Sequence, residues 1–153
     1  MAGIAMSTAG IRLVYGDATV TGGTMTEPTT WTEIPDIKSF PDFSAAPATL
    51  ETTTLAETKF KTYISGLQDL GGALEFNANL TNELIAAMNN ATTEPAPGTR
   101  RVFGLEIPSP LKKRYWWAGT AQPVTPTGGE VDAVLETTVY VSMETTLMES
   151  AIV

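Results

Sequence analysis

Residues 73–90 read ALEFNANLTNELIAAMNN, and their period changes halfway. From residue 73 to 80, Leu74, Phe76, Ala78 and Leu80 alternate with Glu75, Asn77 and Asn79. A period of two sends the two sets to opposite faces of a pleated strand, so this run is a strand with one buried face. Thr81 then stands as a helix N-cap, with Asn82 and Glu83 in the first turn and Leu84, Ile85 and Met88 as one apolar stripe. The helix is expected to end near Asn90, because Pro95, Pro97 and Gly98 cannot continue it. Its expected role is packing, closing one end of a β structure.

Toward the C-terminus, residues 100–107 and 112–118 read as strands joined by a connection holding Pro108 and Pro110. The second opens with Lys112, Lys113 and Arg114 and runs into Tyr115, Trp116 and Trp117. Cations beside aromatics can form a stacking platform for single-stranded nucleic acid. Here the cluster is local in an acidic chain, and a strand with a charged edge and an aromatic core fits it better. Residues 123–129 form a turn-rich loop, and residues 130–144 then give the longest alternating run. In that run Val131, Ala133, Leu135, Val139, Val141 and Met143 share a face opposite Glu130, Asp132, Glu136, Tyr140 and Glu144.

Toward the N-terminus, residues 59–64 and 48–55 read as paired strands, with Ser65-Gly66 and Gly71-Gly72 as turns. Residues 35–47 break the pattern with Pro35, Pro41 and Pro47, yet they carry Ile37, Phe40 and Phe43. Such a segment either folds back over its own core or docks on a neighbouring subunit. Residues 30–34 are a strand with Trp31 as a core candidate, and residues 11–15 another, with Ile11, Leu13 and Tyr15 on one face. Gly16-Asp17 and Gly22-Gly23 bracket a loop between these two strands, with a short strand at residues 18–21 as an alternative within it. Residues 1–10 are small and weakly polar, an expected arm.

Eight to ten short runs and one helix predict a mainly β fold: two antiparallel sheets packed face to face, sandwich- or barrel-like, with one flanking helix. The 153 residues suit a single domain spanning residues 1–153. Nine Lys and Arg against 17 Asp and Glu give a formal charge of -8, which opposes binding of nucleic acid through its phosphates. Cysteine and histidine are both absent, which removes disulfides, thiol nucleophiles, the commonest general base and the commonest metal ligand. Carboxylates are plentiful, but no pair stands in a recognisable acid–base motif. The chain is therefore expected to be no enzyme and to need no cofactor. The opening MAGIAMSTAG lacks a basic n-region and a long apolar core, so it does not read as a secretory signal. No apolar run approaches the roughly 18 residues of a membrane span, so no membrane anchor is expected.

The string TTTLAETKFKTYISGLQDLGG at residues 52–72 resembles the signature of the major tail tube proteins of long-tailed, siphophage-type bacteriophages. The match runs through Thr53, Thr54, Leu55 and Glu57, then Tyr63, Ile64, Gly66, Leu67, Asp69, Gly71 and Gly72, with Ser65 where many relatives carry proline. The resemblance implies a virion protein, assembled in the host cytoplasm, that forms hexameric rings stacked into a tail tube. DNA would pass through the lumen without specific binding. Implied partners are further copies of the chain, a tape-measure protein and the proteins at the tail ends. Residues 35–47 would then form an inter-subunit loop, with Ile37, Phe40 and Phe43 as contacts and Lys112, Lys113 and Arg114 meeting a neighbour's acids. An acidic wall would keep a DNA conduit slippery, and Glu75, Glu130, Asp132 and Glu136 are the lumen-facing candidates. The alternative is a β-sandwich binding or adhesion module, which fits the Trp and Tyr content but usually comes with a secretion signal or a larger chain.

Overall fold

A computed structural model describes residues 9–43, 47–51, 54, 63–68, 73–145 and 147–152. Most of the tail-tube-like string, from Thr53 to Glu57 and from Asp69 to Gly72, falls outside the described residues apart from Thr54, as do residues 1–8 of the expected arm. The described residues are mainly β, built on two antiparallel sheets, a separate two-stranded hairpin and a single helix.

The larger sheet is organised around β1 (Arg12–Thr21). Its six strands run in the order β11 (Met148–Ala151), β9 (Lys113–Ala118), β8 (Thr99–Ile107), β1, β2 (Thr24–Thr26), and β3 (Thr32–Ile34) also pairs with β1. The smaller sheet has three strands, β10 (Glu136–Val141), β7 (Leu74–Asn79) and β4 (Ile37–Ser39). A separate hairpin pairs β5 (Pro47–Glu51) with β6 (Tyr63–Gln68). The helix α1 (Asn82–Ala91) follows β7 directly.

The core lies between the sheets. β1 and β3 supply Leu13 and Ile34, β8 Phe103 and Leu105, and β9 Trp117, while β7 and β10 answer with Leu74, Phe76, Ala78, Val139 and Val141. Trp117 is fully buried at the centre, stacked on Phe76, and its indole N–H donates to the Ser142 carbonyl at 3.2 Å. That bond answers the cost of burying a polar N–H.

The helix begins as expected, with the Thr81 hydroxyl accepting from the Leu84 N–H at 3.2 Å. Its buried line is Leu84, Met88 and Ala91, an i, i+4, i+7 series, and Ile85 turns outward. No basic residue stands in its last turn. Arg101 of β8 supplies the missing cation, donating to the carbonyls of Asn90 and Thr93 while its guanidinium lies over the Tyr15 ring. A positive group there complements the helix dipole and satisfies unpaired carbonyls.

Four expectations need correction. Gly16 and Asp17 do not open a loop, since β1 runs through both to a two-residue turn at Gly22 and Gly23 with φ of 58° and 80°. Positive φ at both central residues suits a tight hairpin turn. Gly16 is glycine for a different reason: a Cβ there would sit 3.0 Å from the Thr30 carbonyl oxygen, where the chain crosses. Ser65 and Gly66 likewise lie within β6 and not in a turn. Residues 35–47 are less irregular than three prolines imply, because β4 pairs with β7 between Pro35 and Pro41. Finally, the long run at residues 130–144 becomes a strand only from Glu136 to Val141. Asp132 takes φ 68°, and the Ala133 N–H closes a turn on the Glu130 carbonyl. A left-handed residue interrupts alternation whatever the side-chain pattern says.

Candidate assembly surfaces

Three surfaces of the described residues carry the side chains that sequence reasoning singled out, and each is built by a different part of the fold.

The first lies on the outer face of the large sheet. Glu106 stands between Arg12 and Arg114 in the register of β1, β8 and β9, a charge-alternating row across three strands. Arg12 Nη2 meets Glu106 Oε1 at 2.8 Å, and Arg114 Nη2 meets Glu106 Oε2 at 2.5 Å. Arg114 also holds Glu27 at 2.7 Å and lies over the Trp31 ring, and Ser150 donates to the same Glu27 oxygen. Glu106 is buried, and the two guanidiniums offset the cost of taking its carboxylate out of water. Trp31 and Met25 pack with Ala18, Val102, Trp116 and Ala118 into a second, smaller apolar cluster beside this row. The arrangement pins residues 24–31 across the sheet. Sequence reasoning singled out Arg114 but not Arg12, Glu106 or Glu27, because only the strand register and the path of the segment after β2 bring these side chains together.

Arg114 thus has its ionic partners within the chain. Lys113 pairs with Glu149 at 3.0 Å. Lys112, at φ 49°, makes no ion pair among the described residues.

The second surface lies around the segment that follows β4, residues 40–43. A groove of about 390 Å³ is lined by Phe40, Phe43, Leu105, Ile107, Tyr115 and Leu147. A larger hollow of about 520 Å³ continues past Phe40 to Ile37, Lys38 and Ile11. Ile37 is half-buried against the core, and Phe43 packs on Trp117 and Phe76 with ring centroids 5.2 and 6.3 Å apart. Phe40 is 38% exposed. The proline-bracketed segment therefore divides: Phe43 lies over its own core and Phe40 faces out.

The third surface is the outer face of the small sheet. Glu75 is exposed opposite Tyr140, and Glu136, four residues before Tyr140 on the same face of β10, is ion-paired with Lys38 of β4. Glu130 and Asp132 are not on this face but in the loop before β10. Close by in sequence, Glu144 accepts from Arg100 and Thr120 at 2.7 and 2.8 Å, and these bonds hold its carboxyl below the usual range despite slight burial.

Among the described residues no group of His, Cys, Asp or Glu could hold a metal ion, and no helix is long and apolar enough to cross a membrane.

No protein-family model matches the chain, and no curated protein matches it in sequence. Solved structures do match. A chain in the cryo-EM structure of the anti-feeding prophage (AFP) baseplate, 6-fold symmetrised, superposes with a TM-score of 0.65 over 99% of both chains at 9% identity. A chain in the structure of the PVC sheath/tube terminator, an extracellular contractile injection system in its extended state, gives 0.62 over 99% of this chain and 100% of that one, at 6% identity. The chain shares their fold. Identities this low speak to the fold alone, and both likenesses are to contractile machines, whereas the string at residues 52–72 resembles tubes of long-tailed phages.

Proposed function

We propose that this protein is a structural component of a phage-tail-like machine, and that its copies join into hexameric rings stacked about a central channel. The observation that carries the reading is the end-to-end fold likeness to chains in two solved assemblies, a baseplate and a sheath/tube terminator. The tail-tube-like string at residues 52–72 agrees with it, as does a chain that lacks both histidine and cysteine. A heterologous contact repeated by rotation closes a ring, and the same logic along an axis stacks rings. Partners would be other copies, a tape-measure protein within the tube and the proteins that end it. The place of action is the tail of the particle, after assembly in the host cytoplasm.

In this reading the outer face of the small sheet, with Glu75 and Glu136, faces the channel. Negative side chains there repel DNA phosphates, so the genome slides without being held. Glu130 and Asp132 would extend the acidic wall only if the loop carrying them lies at the channel mouth. A second reading is favoured by the names of the two solved neighbours, a baseplate and a terminator: a single closing ring in place of a repeated tube subunit.

Sedimentation velocity of the purified protein at rising concentration tests the shared claim of self-association. Growth to hexamers and their stacks supports the tube subunit, and growth that stops at one ring supports the terminator. A monomer at every concentration defeats both.

A further inference from the structure

Among the described residues, three that are not glycine take positive φ: Asp36 at 63°, Lys112 at 49° and Asp132 at 68°. The left-handed region is unfavourable for a residue with a Cβ, and such a residue persists where surrounding bonds hold it. Asp36 serves its own fold. Its carbonyl accepts from the Asn79 N–H at 3.0 Å, and its carboxylate accepts from the Thr81 hydroxyl at 2.6 Å, beside the helix cap. Lys112 and Asp132 are exposed, and neither side chain has such a partner among the described residues. Glycine would suit either turn better if backbone shape were its whole purpose.

Each of these two turns is held by backbone bonds and presents an apolar side chain next to its charge. The Lys112 N–H donates to the Pro108 carbonyl at 3.2 Å, and the Lys112 carbonyl accepts from the Ile152 N–H at 3.0 Å. Leu111 beside it is 47% exposed. In the loop before β10, the Ala133 N–H donates to the Glu130 carbonyl and the Leu80 N–H to the Leu135 carbonyl. Val131, between Glu130 and Asp132, is 91% exposed. The charges of the two turns are opposite. Arg12, Lys38, Arg100, Arg101, Lys113 and Arg114 each hold a carboxylate of the same chain, which leaves Lys112 as the uncommitted cation among the described residues. Glu130 and Asp132 make no ion pair among those residues either.

We propose that the turn between β8 and β9 of one copy docks on the loop before β10 of a second copy, with Lys112 between Glu130 and Asp132 and Leu111 against Val131. An exposed ion pair adds little by itself, so the aliphatic contact supplies attraction while the charges choose the partner and set the register. The two surfaces belong to different sheets, so each docked copy keeps one of each free and the contact repeats from copy to copy. This rests on the self-assembly reading and names a contact that performs it. It also gives Glu130 and Asp132 a role at the interface between copies in place of the channel wall.

Charge reversal tests the contact, each variant being confirmed as folded by circular dichroism. Lys112→Glu alone, and Glu130→Lys with Asp132→Lys, should each weaken association in sedimentation velocity by about tenfold or more. A chain carrying all three reversals should regain association, because its turn and loop are complementary again. The chain has no cysteine, so introduced thiols are unique. A Leu111→Cys, Val131→Cys double variant treated with a short bismaleimide at associating concentration should give a covalent ladder, and neither single variant should pass beyond dimer. Wild-type association that survives the separate reversals, that the combined reversal fails to restore, or that yields no ladder overturns the contact and leaves the self-assembly reading standing. A wild-type protein that never associates overturns both.

Discussion

Glu106 is the residue on which the large sheet's outer face depends. Its buried carboxylate is shared by Arg12 and Arg114. Removing one member of a buried ion pair costs about 3–5 kcal/mol, because the remaining charge stays desolvated. Arg114→Ala is expected to lose about that much in urea denaturation, and Glu106→Gln a similar amount; a change below about 0.5 kcal/mol in both would show the row to be an exposed, weak pairing. Gly119 matters for shape alone. A Cβ there would lie 2.0 Å from the Ser142 carbonyl oxygen, at the corner where the chain crosses between sheets. Gly119→Ala should destabilise by about 1–3 kcal/mol, whereas Gly129→Ala, with open space around it, should be nearly neutral. Glu144 gives a pH signature. Its folded pKa is lowered by the Arg100 and Thr120 bonds, so the stability it adds is present above the ordinary 4.5 and lost as pH falls through the lowered value. The urea midpoints of wild type and Glu144→Gln should differ slightly at pH 7 and draw together as the pH falls below the ordinary 4.5, the gap being small for so exposed a pair.

At the scale of elements, alternation and capping were legible wherever one period ruled a whole run. The strands at residues 74–79 and 113–118, and the helix with its Thr81 cap, follow from the residues themselves. Legibility failed where backbone geometry overrides the pattern. Asp132 at positive φ converts half of an alternating run into a loop, and Gly16 reads as a break although it is a strand residue that lets another segment pass close. The surfaces were half legible. Phe40 and Phe43 were singled out together, but nothing local tells which of two neighbouring aromatics meets Trp117. Glu106 was invisible as a partner of Arg114 because only strand pairing sets the two opposite each other, and Glu27 because it arrives from the segment after β2. The division of the proline-bracketed segment can be measured. Phe43→Ser should lower stability by about 1.5–3 kcal/mol through lost burial, and Phe40→Ser should leave the denaturation midpoint where it was but weaken association. Equal destabilisation by both would place Phe40 in the core as well.

At the scale of the whole molecule, the chain is acidic and shares its fold end to end with chains in the two solved assemblies. Because most of its cations are committed to partners within the chain, its excess of carboxylates is free to set the sign of any channel it lines. Self-assembly is the claim on which the functional reading stands. Electron microscopy of the purified protein at high concentration tests it most directly. Rings with six-fold class averages and an open central channel, single or stacked, are the predicted result. Particles that remain compact single subunits at every concentration, with no ring among them, would contradict it.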